Sequence, residues 1–153
     1  MEQTASRTLY LVRLVQQETY ARLEDRLRTF ELTPGQFTVL GILESRDGLS
    51  AAQLARRMSV TPQAMNELIA SLERRQLIAR REAPENRRIL EARLTAAGKK
   101  AVALCNEVVD RIDAEVFRSL KRGDLKDFRQ MLSTIIADLR LQAGLTPEKS
   151  AQA

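Results

Sequence analysis

This sequence predicts an all-α chain with a small β-hairpin wing: six helices, with the hairpin between the fourth and the fifth. Three observations carry that prediction. Helix caps built from Ser, Thr and Gln recur along the 153 residues, apolar residues recur at three- and four-residue steps over most of them, and only residues 77–94 switch to alternation. With 44% hydrophobic and 29% charged residues the composition is that of a globular chain, and the length allows one core elaborated by extra helices.

Over residues 4–28, Leu9, Val12, Val15, Leu23 and Leu27 keep helical spacing with no proline or glycine between them, which predicts one long amphipathic helix. Thr33-Pro34-Gly35-Gln36 then offers an N-cap, a proline at the first helical position and a glutamine able to reach back, so a second helix runs to about Leu43. Arg46-Asp47-Gly48 ends it in a turn. Ser50 and Gln53 form the capping box of a short third helix reaching Met58. Thr61-Pro62 opens a fourth, with Met65, Leu68, Ile69 and Leu72 on one face, ending near Arg75.

Two short helices joined by a three-residue turn make a helix-turn-helix, although an ordinary helical hairpin would read the same. The next segment favours the former. Residues 77–82 and 89–94 flank Ala83-Pro84-Glu85-Asn86-Arg87-Arg88, and Leu90, Ala92 and Leu94 alternate with Ile89, Glu91 and Arg93 as in a half-buried strand. That predicts a hairpin with Arg87 and Arg88 at its tip, and a helix-turn-helix followed by such a hairpin is a winged helix. Thr95 caps a fifth helix over residues 96–120, striped by Val102, Cys105, Val109, Ile112, Val116 and Leu120. Asp124 caps a sixth, striped by Leu125, Phe128, Leu132, Ile135, Ile136 and Leu139 and reaching Gln142. Residues 144–153, with Gly144 and Pro147, are expected to be a flexible tail.

The charge is unevenly placed. The chain has 25 basic and 20 acidic residues, but residues 46–100 hold 12 of the basic and 6 of the acidic ones, a local net of +6 against −1 for everything else. Such a distribution is expected when one module faces a polyanion and the flanks do something else. There is no histidine and one cysteine, so the commonest general base and metal ligand is missing, a thiolate zinc site is impossible, and an enzyme is not expected. No cofactor is implied. The longest uncharged run, residues 32–43, is far short of the roughly 18 apolar residues of a membrane span, and the N-terminus has no basic leader before an apolar block, so the expected compartment is the cytoplasm.

On a helical wheel Gln63, Asn66, Glu67, Ala70 and Arg74 point away from the apolar stripe of the fourth helix. If that helix enters a major groove, Gln63 and Asn66 can donate and accept together against adenine, and Thr61, Pro62 and Gln63 lie where the helix N-terminus favours a phosphate. Otherwise they are exposed polar positions with no contact. Glu67 would repel phosphates unless it accepts from a cytosine amine or Arg74 holds it aside. Arg87 and Arg88 suit insertion into a minor groove or a phosphate contact, unless they are only a surface arginine pair, and Arg56 and Arg57 suit a phosphate or a cap on the neighbouring helix rather than base reading.

The run Leu49-Ser50-x-x-Gln53-Leu54-Ala55, then Thr61, Leu68-Ile69-x-x-Leu72-Glu73-Arg74-Arg75-x-Leu77-Ile78-x-Arg80, Pro84-x-x-Arg87-Arg88 and Leu94-Thr95-x-x-Gly98 resembles the multiple antibiotic resistance regulator (MarR) family. The resemblance implies a transcriptional regulator, usually a repressor, binding double-stranded DNA at a palindromic operator as a homodimer and often released by a small ligand or oxidant. Residues 1–32 and 100–143 would then be dimerisation helices and 33–99 the DNA-binding lobe. It also implies an effector site between the two, for which Tyr10, Arg13 and Phe37, with Tyr20, are conceivable lining, although core packing explains the aromatics equally well. Ala83 and Asn86 stand where the family's wing carries aspartates, leaving Glu82 or Glu85 as substitute partners of Arg87. Gln76 stands where a glycine commonly ends the recognition helix, so it should adopt a left-handed conformation. Cys105 is not in the N-terminal helix, where oxidant-sensing members carry their reactive cysteine, and reads as a buried, inert side chain. Two further functions fit the same residues: a non-specific architectural DNA binder, and a helical module whose winged helix binds protein.

Overall fold

The computed structural model describes residues 7–143, so Thr4 and the expected tail at 144–153 lie outside it. The chain divides into two compact units, one up to Asp113 and one from Ala114.

The first unit begins with α1 (Thr8–Leu27), which passes into a 3₁₀ turn, Arg28–Phe30. Only Leu27 of α1 is fully buried and Leu23 half so, while Leu9 is 85% exposed and Val12 and Val15 about half. The periodic stripe is real, but most of it is exposed among the described residues. α2 (Pro34–Ser45) starts from the capping box expected of it. The Thr33 N–H donates to Gln36 Oε1 at 2.9 Å, and the Gln36 N–H donates to Thr33 Oγ1 at 3.2 Å. Gln36 then uses its amide nitrogen, donating to Ser71 Oγ at 2.8 Å, which ties α2 to the fourth helix.

α3 (Ala51–Met58) has the same box from Ser50 and Gln53. Immediately before it the structure adds β1 (Leu49–Ser50), a strand the sequence reading missed because two residues show no period. It exists only through its antiparallel partner, with Leu49 opposite Ala92 and Ser50 opposite Glu91. Gly48, at φ +83, lets the chain enter it. A Cβ there would lie 2.6 Å from Glu91 Oε2 and 2.7 Å from Arg93 Nη2. Arg93 bridges Glu91, at 3.0 Å, and Asp47, fastening the turn to the sheet.

α4 (Pro62–Arg74) is capped by Thr61, whose hydroxyl accepts from the Ala64 N–H at 3.2 Å. Met65, Ile69 and Leu72 bury one face against Leu40, Leu43 and Leu54 in the core of this unit. The helix ends as expected on Gln76 at φ +57, with the Leu77 N–H reaching back to the Leu72 carbonyl at 3.0 Å. A side chain in this conformation costs roughly 1–2 kcal/mol. Gln76→Gly should therefore raise stability by about 1 kcal/mol, read as a higher urea midpoint at unchanged slope.

β2 (Ile78–Ala83) and β3 (Asn86–Leu94) form the wing, and the sheet order is β1-β3-β2. Both strands run further than expected, so the turn is Pro84-Glu85. Arg87 and Arg88 are therefore not at the tip but just past it, inside β3. The alternation holds only near the base: Ala92 is buried, whereas Leu90 on the same strand face is 50% exposed, because the wing projects beyond the core.

α5 (Ala96–Val116) is capped by Thr95, whose hydroxyl accepts from the Gly98 N–H at 3.0 Å and lies 2.7 Å from the Gln76 carbonyl oxygen, to which it donates. Val102, Cys105 and Ile112 are buried. The helix stops four residues short of the expected Leu120. In the second unit Phe117 packs on Phe128 with ring centroids 5.8 Å apart, and the Leu120 N–H closes a turn on the Phe117 carbonyl.

α6 (Arg122–Gln142) has Lys121, not Asp124, at its N-cap. Asp124 falls in the first turn, where its charge still complements the helix dipole. No residue of α6 is buried, and Leu132, Ile135, Ile136 and Leu139 are 37–58% exposed. Among the described residues no helix is long and apolar enough to cross a membrane.

Candidate nucleic-acid interface

The face of α4 opposite its buried stripe carries the side chains expected there. Thr61, Pro62, Gln63, Asn66, Glu67 and Arg74 are exposed and Ala70 is half-buried. Their placement follows from local chemistry: the Thr61 cap and Pro62 fix where the helix starts, and Met65, Ile69 and Leu72 fix its rotation by demanding burial. The backing is firm. Gln36 holds Ser71 from α2, and Arg75 at the C-terminal end donates to the carbonyls of Glu31 at 2.6 Å and Phe30 at 3.0 Å. Arg75 was not singled out in the sequence, since nothing local distinguishes it from Arg74.

Glu67 is engaged, but by Gln63 and not by Arg74. The Gln63 amide nitrogen donates to Glu67 Oε1 at 3.4 Å, one helical turn away, whereas Arg74 lies two turns away. Gln63 and Glu67 stand four residues apart on one helix face, the spacing at which side chains meet.

On the wing, Arg87 Nε lies 3.9 Å from Glu82 Oε2, so Glu82 supplies the carboxylate that Ala83 and Asn86 do not. Asn86 Oδ1 accepts the Arg88 N–H at 3.0 Å, shaping the chain beside the turn. Arg87 and Arg88 are both exposed, as is Arg56 at the end of α3. Arg80, one strand-step from the wing base, pairs with Glu73 of α4 at 3.1 Å and couples wing to helix.

The conceivable effector residues separate into two groups. The Arg13 guanidinium lies 5.7 Å from the Tyr10 ring centroid on α1, a cation–π pair, while Phe37 packs half-buried against the core from α2. Tyr20 is exposed. Cys105 is fully buried, and burial pushes its thiol up, with Arg75 partly opposing, so it stays protonated and unreactive at neutral pH.

Residues 30–89 match the model of the MarR family. The HTH-type transcriptional repressor Rv2887 of Mycobacterium tuberculosis is 38% identical over 107 residues, which cover 70% of this chain and 77% of that protein. The chain belongs to the MarR family. The HTH-type transcriptional repressor MdtR of Bacillus subtilis is 36% identical over 67 residues, 44% of this chain and 43% of that one. Among solved structures, Rv2887 in complex with salicylic acid superposes with a TM-score of 0.70 at 34% identity, covering 85% of this chain and 96% of its own. A mutant of E. coli MarR complexed with operator DNA, at 21% identity, shares the fold with a TM-score of 0.73 over 82% of this chain and 90% of its own. In this MarR family chain the winged helix is thus family architecture, and relatives such as Rv2887 and MdtR are transcriptional repressors.

Proposed function

We propose that this protein is a homodimeric repressor that binds a palindromic operator and is released by a small ligand. Residues 1–32 and 100–143 serve as the dimerisation segments, and 33–99 as the DNA-binding lobe. The observation that carries DNA recognition is the exposed face of α4, where Gln63 and Asn66 stand on a helix whose start and rotation are fixed by its cap and buried stripe. In the proposed complex these two amides read base edges, Thr61 and Pro62 set the helix N-terminus against a phosphate, and Glu67, Ala70 and Arg74 complete the face. Arg56 contacts a phosphate, and Arg87 and Arg88 enter the adjacent minor groove. Two copies related by a two-fold place two such helices in successive major grooves, about 34 Å apart.

The test separates reading from positioning. Asn66→Ala should cost on the order of 1–3 kcal/mol on DNA selected by the purified protein and relax preference at one base pair per half-site. Arg87→Ala should weaken every sequence and lower the salt slope by about 1. Equal loss on selected and random DNA for Asn66→Ala would remove it from readout, and flat affinity across genomic fragments would favour the architectural reading.

Release by a small aromatic acid is supported by the salicylic acid held by Rv2887, and Arg13 beside Tyr10 offers a guanidinium and a ring for such a ligand, with Phe37 as further lining. Salicylate should then displace the wild-type protein from its DNA, and Arg13→Ala should need more of it.

A further inference from the structure

Within residues 33–94 the exposed large apolar side chains are Ile89 and Leu90, adjacent on the wing and 43% and 50% exposed. The pairing of β2 with β3 explains where they sit. From Ile78 opposite Leu94 to Glu82 opposite Leu90 the strands stay in step. The register then jumps so that Ala83 faces Asn86. Arg87, Arg88 and Ile89 are left over, thrown out of the ladder as a three-residue bulge. Leu90 still has a cross-strand partner; Ile89 has none. The bulge is shaped before any ligand arrives, by Asn86 Oδ1 on the Arg88 N–H at 3.0 Å and by Glu82 beside Arg87 at 3.9 Å.

Ile89, next in sequence to Arg87 and Arg88, is 43% exposed and has no cross-strand partner to cover the rest of it. Its surroundings specify an occupant: a narrow cleft with anionic rims and apolar walls, able to take a thin projection. The minor groove of duplex DNA has that chemistry, with phosphates along its edges and deoxyribose C–H groups lining its sides. Aliphatic side chains pressed into such grooves unstack a base step and bend the duplex. We propose that Ile89 is an apolar wedge which the wing presses into the minor groove, bending the DNA, while Arg87 and Arg88 hold the groove's edges. The proposal rests on the DNA-binding reading above and adds to it a deformation of the duplex that no polar side chain on the wing would produce.

The test uses the full-length protein on the fragment it selects from genomic DNA, with bend angle read from the mobility of circularly permuted copies of that fragment. Wild-type protein should bend the fragment. Ile89→Ala should bend it less and bind it about tenfold more weakly with an unchanged salt slope, and Ile89→Leu should restore both. Since the side chain is exposed, both variants should melt like wild type. Equal bend and affinity for wild type and Ile89→Ala would overturn the wedge while leaving DNA binding intact. A salt slope that falls with the affinity would also overturn it, because the side chain would then only be positioning arginines. Failure of the wild-type protein to bind any fragment would instead refute the DNA-binding reading itself.

Discussion

Gly98→Ala should unseat the fifth helix and cost about 3 kcal/mol or more, lowering Tm by roughly 6–12 °C in a chain of this length. The reason is a backbone contact. A Cβ built on Gly98 would stand 2.0 Å from the Leu77 carbonyl oxygen and 3.0 Å from its carbon, and a main-chain carbonyl cannot rotate aside as a side chain can. The same carbonyl accepts the Thr95 N–H at 3.1 Å, so moving α5 away to make room also breaks the link that docks its first turn on the end of α4. Because Gln76, Leu77 and Thr95 join helix, wing and α5 at one point, the loss should spread to DNA binding. Differential scanning calorimetry and a salt titration on the same preparation would show both effects. A melting point within 2 °C of wild type would mean that α5 shifts at little cost, contrary to the argument.

Ile136→Glu should separate the proposed dimer. Ile136 lies 49% exposed on the α6 stripe with Leu132, Ile135 and Leu139, and α1 separately exposes Leu9, Val12 and Val15. Burying such a surface contributes about 2.5 kcal/mol per 100 Å², and no residue of α6 is buried. In a two-fold interface the new carboxylate appears twice, and each ion taken from water into an apolar contact costs several kcal/mol. A total of about 5 kcal/mol or more would raise the dimer dissociation constant by more than about 10³. Light scattering at micromolar concentration should then report single chains, and affinity for the selected fragment should fall to the non-specific range, with helix content kept because the side chain is exposed in the single chain. A variant that remains dimeric would place the interface elsewhere. Wild-type protein that is already monomeric would refute the two-helix reading of an operator.

Local chemistry made much of this fold legible. Thr33 with Gln36, Ser50 with Gln53, and Thr61 with Pro62 are each complete within four residues, and each started a helix where the sequence placed it. The left-handed Gln76 and the buried Cys105 were likewise legible, one from the helix that must end there and the other from its apolar stripe. The candidate reading face followed from the same periodicity, since burying Met65, Ile69 and Leu72 decides which side of α4 is left outside.

Contacts between residues distant in sequence were not legible. β1 is two residues long and exists only against Ala92 and Glu91, the Arg87 bulge depends on where the two strands fall out of step, and Arg75 matters only because the carbonyls of Phe30 and Glu31 come within its reach. Sequence alone therefore determined the order of the helices, the caps at Thr33, Ser50, Thr61 and Thr95, the basic middle segment and the family, but not the start of α6, which it placed at Asp124 instead of Lys121. Tertiary structure decided the wing's register, the reach of Arg75 to the Phe30 and Glu31 carbonyls and the close approach at Gly98. Caps and stripes are settled by neighbours a turn apart, whereas register and close packing depend on which of several sterically possible partners the folded core brings near.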